Sequence, residues 1–301
     1  MDFYKKIIRN QALRFRILSM LRFVPDKPML KLQYRIKCGR PLNLADPQRY
    51  TEKMQWYKLF YRDPLMRRCA DKFQVRGYLE EKGYGYLLNE LYAVFERPED
   101  ISLDLLPEAF VLKVSNGSST NLLCPNKADL DLTKVKKQFR EFLIQSNSNA
   151  GCEWVYNDGK PVIIAERYLT DPEQANGSLR DYKILCFSGK PEYIICVDGR
   201  HTDRYCHVVY DTAWKKQQVV IGESSADADY PRPVNLDQML AIAEDLSKDF
   251  PAARIDLYSI AGKLYFGEIT FFPWSGFMHF RPDSFDAILG EKFRLPKKKH
   301  I

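Results

Sequence analysis

The stretch that most constrains this chain is residues 254–276, RIDLYSIAGKLYFGEITFFPWSG. Two apolar runs, 255–258 and 264–270, flank a Gly262-Lys263 turn, the pattern of a β-hairpin. Each run carries one acid, and the hairpin sets Asp256 and Glu268 side by side on neighbouring strands. Two carboxylates on one side of a mostly apolar sheet repel each other and are costly to bury. A divalent cation relieves that cost, and hard oxygen donors suit Mg2+ held together with substrate phosphates. The plainer alternative is a pair of acids solvated at strand ends. Against it stand their neighbours: Thr270 follows Glu268 by two positions and Arg254 precedes Asp256 by two, so period-2 alternation turns all four to one face. Asp256, Glu268 and Thr270 are therefore candidate metal ligands.

A second informative stretch is FVLKVSNGSSTN, residues 110–121. A β-run holding Lys113 leads directly into the small residues Asn116, Gly117, Ser118 and Ser119. An ammonium beside backbone N–H groups and hydroxyls suits phosphate; the same stretch also reads as ordinary turn chemistry after a strand. Residues 154–156 and 161–168 flank an Asn-Asp-Gly turn and are expected to form another hairpin, whose second strand carries Glu166. A buried strand acid of this kind is expected to pair with a Lys or Arg. Residues 181–196, DYKILCFSGKPEYIIC, read as strand, Gly turn and strand, with Asp181 and Lys183 sharing a face.

Around these stretches the spacing predicts helices over 29–38, 51–61, 71–83, 130–146, 236–250 and 283–289, and a strand over 84–95 broken at Asn89. Asp71 is read as the cap of its helix and Lys72 as a solvated charge; Arg76, one turn on, is placed to reach an anionic group. The first 24 residues mix Lys and Arg with apolar residues at near-helical spacing, so a helix packed on the body of the protein and a basic helix resting on a membrane both stay open.

Composition enters where it limits function. At 301 residues the chain can bury one large core or those of two to three lobes. The net charge of +7 suits nucleotides, polyanionic glycans or an anionic surface. No zinc-finger spacing or RNA-binding signature supports a nucleic-acid partner. Seven dispersed cysteines, an odd number without a C-x-x-C pair, point to reduced thiols and a cytoplasmic protein. No apolar run reaches membrane-spanning length.

Taken in order, the Asp71-Lys72 helix, Lys113 with its loop, the Glu166 strand, the D-Y-K strand at 181–183, R-x-D at 254–256 and E-x-T at 268–270 resemble the ATP-grasp superfamily. The form E-I-T-F and the stretch D-Y-K-x-x-C-F-x-G-K-P are similar to its TupA-like branch, associated with teichuronopeptide and capsular polysaccharide biosynthesis. The likeness spans about residues 46–276. Two features depart from the family pattern: Thr270 stands where Asn is usual, and Asn116 and Ser119 stand where a His and a second Gly are usual.

The resemblance implies an α+β ATP-grasp fold in which two lobes grip ATP, with an N-terminal helical lobe. It implies a helical region at 1–70, a nucleotide-binding lobe at 71–165, a metal-bearing lobe at 166–280, and a short helix with a basic tail at 281–301. It implies ATP and Mg2+ as cofactors, with Asp256, Glu268 and Thr270 at the metal. Lys113 and the Asn116, Gly117, Ser118, Ser119 loop would face phosphate. Glu166 would lead the adenine hinge at Arg167, Tyr168 and Leu169, and Asp181 would contact ribose. Lys183 would reach a phosphate or acyl group, Arg204 a phosphate, and Arg254 the acylphosphate; Arg254, Lys113 and Lys183 are the expected catalytic residues. The activity implied is a carboxylate–amine ligase joining an amino acid or peptide amine to a uronic acid of a cell-surface glycan or its precursor. The protein would be cytoplasmic, with peripheral membrane contact through the basic N-terminal helix left open. A glycosyltransferase is the first alternative, although no isolated D-x-D closes a strand. A non-catalytic ATP- or glycan-binding partner of the same machinery is the second.

Overall fold

The computed structural model describes residues 24–146, 151–157, 159–174, 178–199, 205–224 and 227–299. Arg204 and all but the last position of the helix expected over 1–24 lie outside the described residues. The chain forms two compact units, one of residues 67–169 and one combining the segment before it with residues from 170 onward.

The larger unit is built on a five-stranded antiparallel sheet in the order β10-β9-β5-β6-β7. Its strands are β5 (Asp181–Phe187), β6 (Lys190–Asp198), β7 (Cys206–Asp211), β9 (Ala252–Ile260) and β10 (Lys263–Thr270). Strand β5, DYKILCF, is buried along its whole length, as expected for a central strand covered on both faces. Helix α6 (Leu236–Ser247) lies on one face, burying Leu236, Met239, Ile242, Ala243 and Leu246 at helical spacing. The Cys186 thiol, 3.8 Å from the Ala243 carbonyl, marks the side of β5 that meets this helix.

The hairpin expected at 254–276 is present as β9–β10, with Glu268 opposite Asp256 and Thr270 opposite Arg254. A bulge at Gly267, absent from the strict alternation assumed above, shifts the register between Phe266 and Glu268. A Cβ on Gly267 would lie 3.0 Å from the Asp256 carbonyl oxygen and 3.1 Å from the Tyr258 ring, so the bulge is suited to glycine.

Helices α1 (Asp26–Cys38), α2 (Tyr50–Phe60) and α7 (Ser284–Lys292) belong to the same unit. Tyr57 of α2 packs edge-on against Phe272 and Phe293. The Asp286 carboxylate of α7 accepts hydrogen bonds from Thr51 N and Thr51 Oγ1 at 2.9 and 2.7 Å, satisfying one open backbone donor of the first turn of α2. A two-stranded ribbon pairs β8 (Val220–Ile221) with β11 (Phe280–Arg281).

The second unit holds a four-stranded antiparallel sheet, β1-β4-β2-β3, from β1 (Leu91–Phe95), β2 (Phe110–Val114), β3 (Asn121–Cys124) and β4 (Ile163–Arg167). Phe110, Leu112 and Val114 alternate along β2 into a core completed by Ile163 and Ala165 and by Val135 and Phe139 of α5 (Leu132–Ser146). Helices α3 (Pro64–Ala70) and α4 (Val75–Glu81) precede the sheet in the chain. Two expectations need correction. Residues Trp154–Tyr156 form a 3-10 turn, and β4 pairs with β1 and β2 rather than with them. The strand expected from residue 84 begins only at Leu91, after a 3-10 turn at Gly85–Leu87.

Candidate active site

Register places the functional side chains of the larger unit on one face. Lys183 lies opposite Asp256, which lies opposite Glu268; Arg254 lies opposite Thr270. Residues directly opposite share a face, and so do residues two apart on a strand. Asp181, Lys183, Arg254, Asp256, Glu268 and Thr270 therefore project from the face turned away from α6. His207 joins them through Val197, which pairs with both His207 and Asp181.

Arg254 organises this face. Its Nε donates to Asp256 Oδ1 at 2.6 Å. Its Nη2 donates to Asp256 Oδ2, Glu268 Oε1 and Thr270 Oγ1 at 2.7, 2.8 and 2.9 Å. The Thr270 hydroxyl in turn donates to Glu268 Oε1 at 2.9 Å. Lys183 is ion-paired with Asp256 and lies 3.4 Å from Asp181. Burial disfavours a charged Arg254, yet Asp256 and then Glu268 outweigh it and raise its pKa. Burial pushes the Asp256 carboxyl up from its ordinary value, with Arg254 and Lys183 pulling the other way.

The donor set fits a hard divalent cation. The oxygens of Asp256, Glu268 and Thr270 converge on one point, and a cationic nitrogen of the protein itself stands there. Mg2+ needs only one or two carboxylates beside phosphates and water. Among the described residues no group of three or more His, Cys, Asp or Glu could hold a metal.

The chain leaves β10 through a second unusual segment. Trp274 and Ser275 adopt left-handed backbone angles, φ 48° and 55°, followed by Gly276 at 65°. Buried side chains of α2 hold them: Lys58 Nζ donates to the Ser275 carbonyl at 2.7 Å, and Gln55 Nε2 to the Gly276 carbonyl at 2.8 Å. The Trp274 ring lies 5.4 Å from the Arg254 guanidinium carbon and 5.7 Å from the His207 ring, which it meets edge-on. The indole therefore reaches from the β9 side of the face to the β7 side. His207 Nε2 and the Tyr205 hydroxyl share a hydrogen bond of 2.7 Å.

In the smaller unit, Lys113 and Glu166 share the face of β2 and β4 opposite the core, and Lys113 Nζ lies 2.7 Å from Glu166 Oε2. Arg76 Nη1 reaches the other carboxylate oxygen at 3.2 Å, so the anionic group expected near Arg76 is Glu166. The Arg167 N–H donates to the Glu90 carbonyl and the Arg167 carbonyl accepts from Asn89 Nδ2. Both backbone groups of Arg167 therefore already carry a hydrogen bond inside the unit. Tyr168 and Leu169, both half-buried, close the segment.

Asp71 Oδ1 accepts from the backbone of Phe73 and Gln74 at 2.9 Å each, and Asp71 Oδ2 from the Ser115 hydroxyl at 2.6 Å. Lys72 is not a free surface charge: its ammonium donates to the Gly117 carbonyl at 2.6 Å and pins the loop. Asn116 Nδ2 donates to the Tyr156 carbonyl at 3.1 Å, and Ser119 takes φ 58°. A Cβ on Gly117 would fall 2.1 Å from Thr120 Oγ1, so only glycine fits there. Ser118 and Ser119 are exposed. Sequence reasoning missed Gln55, Lys58, His207 and Trp274, and took Lys72 for a solvated charge. The one available signal was polar side chains inside the aromatic stretch of α2.

A family model described as TupA-like ATPgrasp matches residues 52–294. Among solved structures, the chain is similar to D-alanine–D-alanine ligase from Bacillus anthracis complexed with ATP, at 16% identity over 67% of this chain and 53% of that one, TM-score 0.39. It is similar to the ATP-grasp ligase PsnB complexed with a phosphomimetic variant of its minimal precursor, Mg and ADP, at 11% identity over 80% and 64% of the two chains, TM-score 0.42. D-cycloserine synthetase DcsG matches at 16% identity over 69% and 64%, TM-score 0.39. The chain spans about half the length of the first of these structures. Comparison with curated proteins gives no match.

Proposed function

The chain belongs to the TupA-like ATP-grasp family, and from that premise we infer that it is an ATP-dependent carboxylate–amine ligase. The observation that carries this reading is the convergence of the Asp256, Glu268 and Thr270 oxygens on one point, beside Lys183 and Asp181. In the reaction a substrate carboxylate attacks the γ-phosphorus of ATP, forming an acylphosphate and releasing ADP. An amine then attacks the acyl carbon, phosphate leaves, and the amine proton passes to solvent or a nearby base. The carboxylate substrate we assign is a uronic acid of a cell-surface glycan or its precursor, and the amine that of an amino acid or peptide.

The chain's own residues serve this chemistry by position and charge. Asp256, Glu268 and Thr270 would hold Mg2+, which when bound offsets negative charge on the β- and γ-phosphates. Arg254, displaced from that point, would turn to the acylphosphate, and Lys183 to the phosphoryl or acyl oxygens. Lys113 and the 116–119 loop present an ammonium and hydroxyls suited to phosphate. Asp181 would accept from a ribose hydroxyl. Among the described residues no helix is long and apolar enough to cross a membrane. A cytoplasmic protein touching the inner leaflet through its basic N-terminal segment is part of the same proposal.

Calorimetry with ATP and Mg2+ tests the reading. Wild-type protein is expected to bind ATP only with the metal present, and Glu268→Ala to lose about 100-fold in affinity through the missing ligand charge. A wild-type chain that ignores millimolar ATP but takes up a sugar nucleotide would sink it in favour of a glycosyltransferase.

A further inference from the structure

Two consecutive non-glycine residues in the left-handed region are costly, and such strain persists only where the surroundings enforce it. Here the enforcement is visible: Lys58 and Gln55, both buried on α2, hold the Ser275 and Gly276 carbonyls. What the strained turn presents is a Trp ring. Trp274 is 38% exposed, whereas its neighbours Phe271, Phe272 and Phe277 are buried. Its position is set from two sides, by the Arg254 guanidinium at 5.4 Å and the edge-on His207 ring at 5.7 Å.

Arg254 itself has a donor in hand. Nε and Nη2 are committed to Asp256, Glu268 and Thr270, while Nη1 makes no hydrogen bond among the described residues. A flat, half-open aromatic surface thus stands beside a guanidinium with one donor to give. A pyranose ring carries a face of C–H groups that packs on an electron-rich indole face, and a uronic acid adds a carboxylate at the ring edge that a guanidinium recognises. Open-chain acids offer the carboxylate without the face.

We propose that Trp274 is the stacking platform for the sugar ring of the carboxylate substrate and that Arg254 Nη1 receives that ring's carboxylate. The proposal rests on the ligase reading for its substrate class, but it makes a binding claim that stands or falls without nucleotide. Strain at Trp274 is then the means of holding an indole upright at the mouth of the face, where an ordinary turn would fold it inward.

Titration calorimetry on the full chain, without nucleotide, compares D-glucuronate with D-gluconate, an open-chain six-carbon sugar acid of the same charge. Wild type is expected to prefer glucuronate by about tenfold, the scale of one aromatic stacking contact. Trp274→Ala loses that preference by weakening glucuronate alone, and Trp274→Phe, which keeps a ring face, retains most of it. Mg·ATP affinity stays within about threefold in all three proteins, since the ring is not asked to touch the nucleotide. Equal glucuronate affinity in wild type and Trp274→Ala, or no preference over gluconate in wild type, overturns the proposal. If Trp274→Ala does not fold, saturation-transfer NMR on wild type decides. Irradiated indole protons must pass magnetisation to the glucuronate ring protons, and absence of transfer overturns the platform. Glucuronate binding through Trp274 in a chain that ignores Mg·ATP would remove the ligase reading and leave the platform standing; Mg·ATP binding without glucuronate binding would do the reverse.

Discussion

In the unit of residues 67–169, one carboxylate, Glu166, stands between two cations, Lys113 and Arg76. In the other unit, three carboxylates, Asp181, Asp256 and Glu268, share two cations, Lys183 and Arg254. The parts are alike: a strand Lys, an Arg and acids on neighbouring strands. Counting these side chains alone, among the described residues, cations outnumber acids in the first and acids outnumber cations in the second. Exposure differs as well. The Lys113 and Arg76 side chains are 26% and 18% exposed, whereas Lys183 and Asp256 are 6% and 2%. A half-open site with spare positive charge recruits an anion cheaply. A buried site with more acids than cations is stable only with its cations in place.

The largest test of this contrast removes the lysine from each cluster in turn. Lys183→Met leaves Asp181 and Asp256 buried with one cation fewer, and is expected to cost about 3–5 kcal/mol. Lys113→Met removes a partly exposed lysine from the buried Glu166 carboxylate, which keeps Arg76, and is expected to cost less, about 1–2 kcal/mol. Urea unfolding midpoints of the full chain measure both, and equal shifts would erase the distinction.

A smaller effect comes from crowding the acid cluster. Gly267→Ala forces a Cβ against the Asp256 carbonyl and the Tyr258 ring, costing about 1–3 kcal/mol by overpacking. It should also weaken Mg2+-dependent ATP binding, because Glu268 follows directly. At the rim, Trp274→Gly should be about 1 kcal/mol more stable than Trp274→Ala, since glycine accepts φ 48° without strain. Thermal melting of the two variants checks this.

The exposed Arg40–Asp283 pair supplies the baseline, with side chains 35% and 55% exposed. Its hydrogen bond from Arg40 holds the Asp283 carboxyl below its ordinary value. The stabilisation is therefore present above the ordinary Asp range and fades as pH falls through the lowered value. Arg40→Ala should cost about 0.5 kcal/mol at neutral pH and nothing once Asp283 is protonated in both states. A loss as large as that of Lys183→Met would mean that burial does not set the scale.

Much of the acid cluster could be read from residue order, because adjacent strands in a hairpin bring Asp256, Glu268, Arg254 and Thr270 together whatever the rest does. Lys183 needed a longer reach: β5 meets β9 across some seventy residues of chain, and only the D-Y-K resemblance pointed to it. The smaller unit was harder for the same reason. Strand β4 takes partners from β1 and β2, so the Asn-Asp-Gly sequence signal at 157–159 misled the hairpin expectation. Trp274 and its supports were illegible because α2 is buried almost all round, and a helix without a solvated face hides which polar residues hold something. Glu166 was legible in its plainer sense, a buried strand acid paired with Lys and Arg.

Strand β10 is written in two phases. Up to Phe266 the even-numbered positions Leu264 and Phe266 are buried; after Gly267 the odd-numbered Ile269 is, and even-numbered Glu268 and Thr270 open outward. Counted as strict alternation through Gly267, the strand would place Glu268 in the apolar layer and Ile269 outside it; taken as the extra residue of a bulge, Gly267 leaves both on the faces they occupy. Insertions are usually treated as noise tolerated in loops. In this hairpin spacing and bulge go together: a sequence with the acid directly after the last buried aromatic presents it outward without a bulge, and one with the acid two residues on does so only with one.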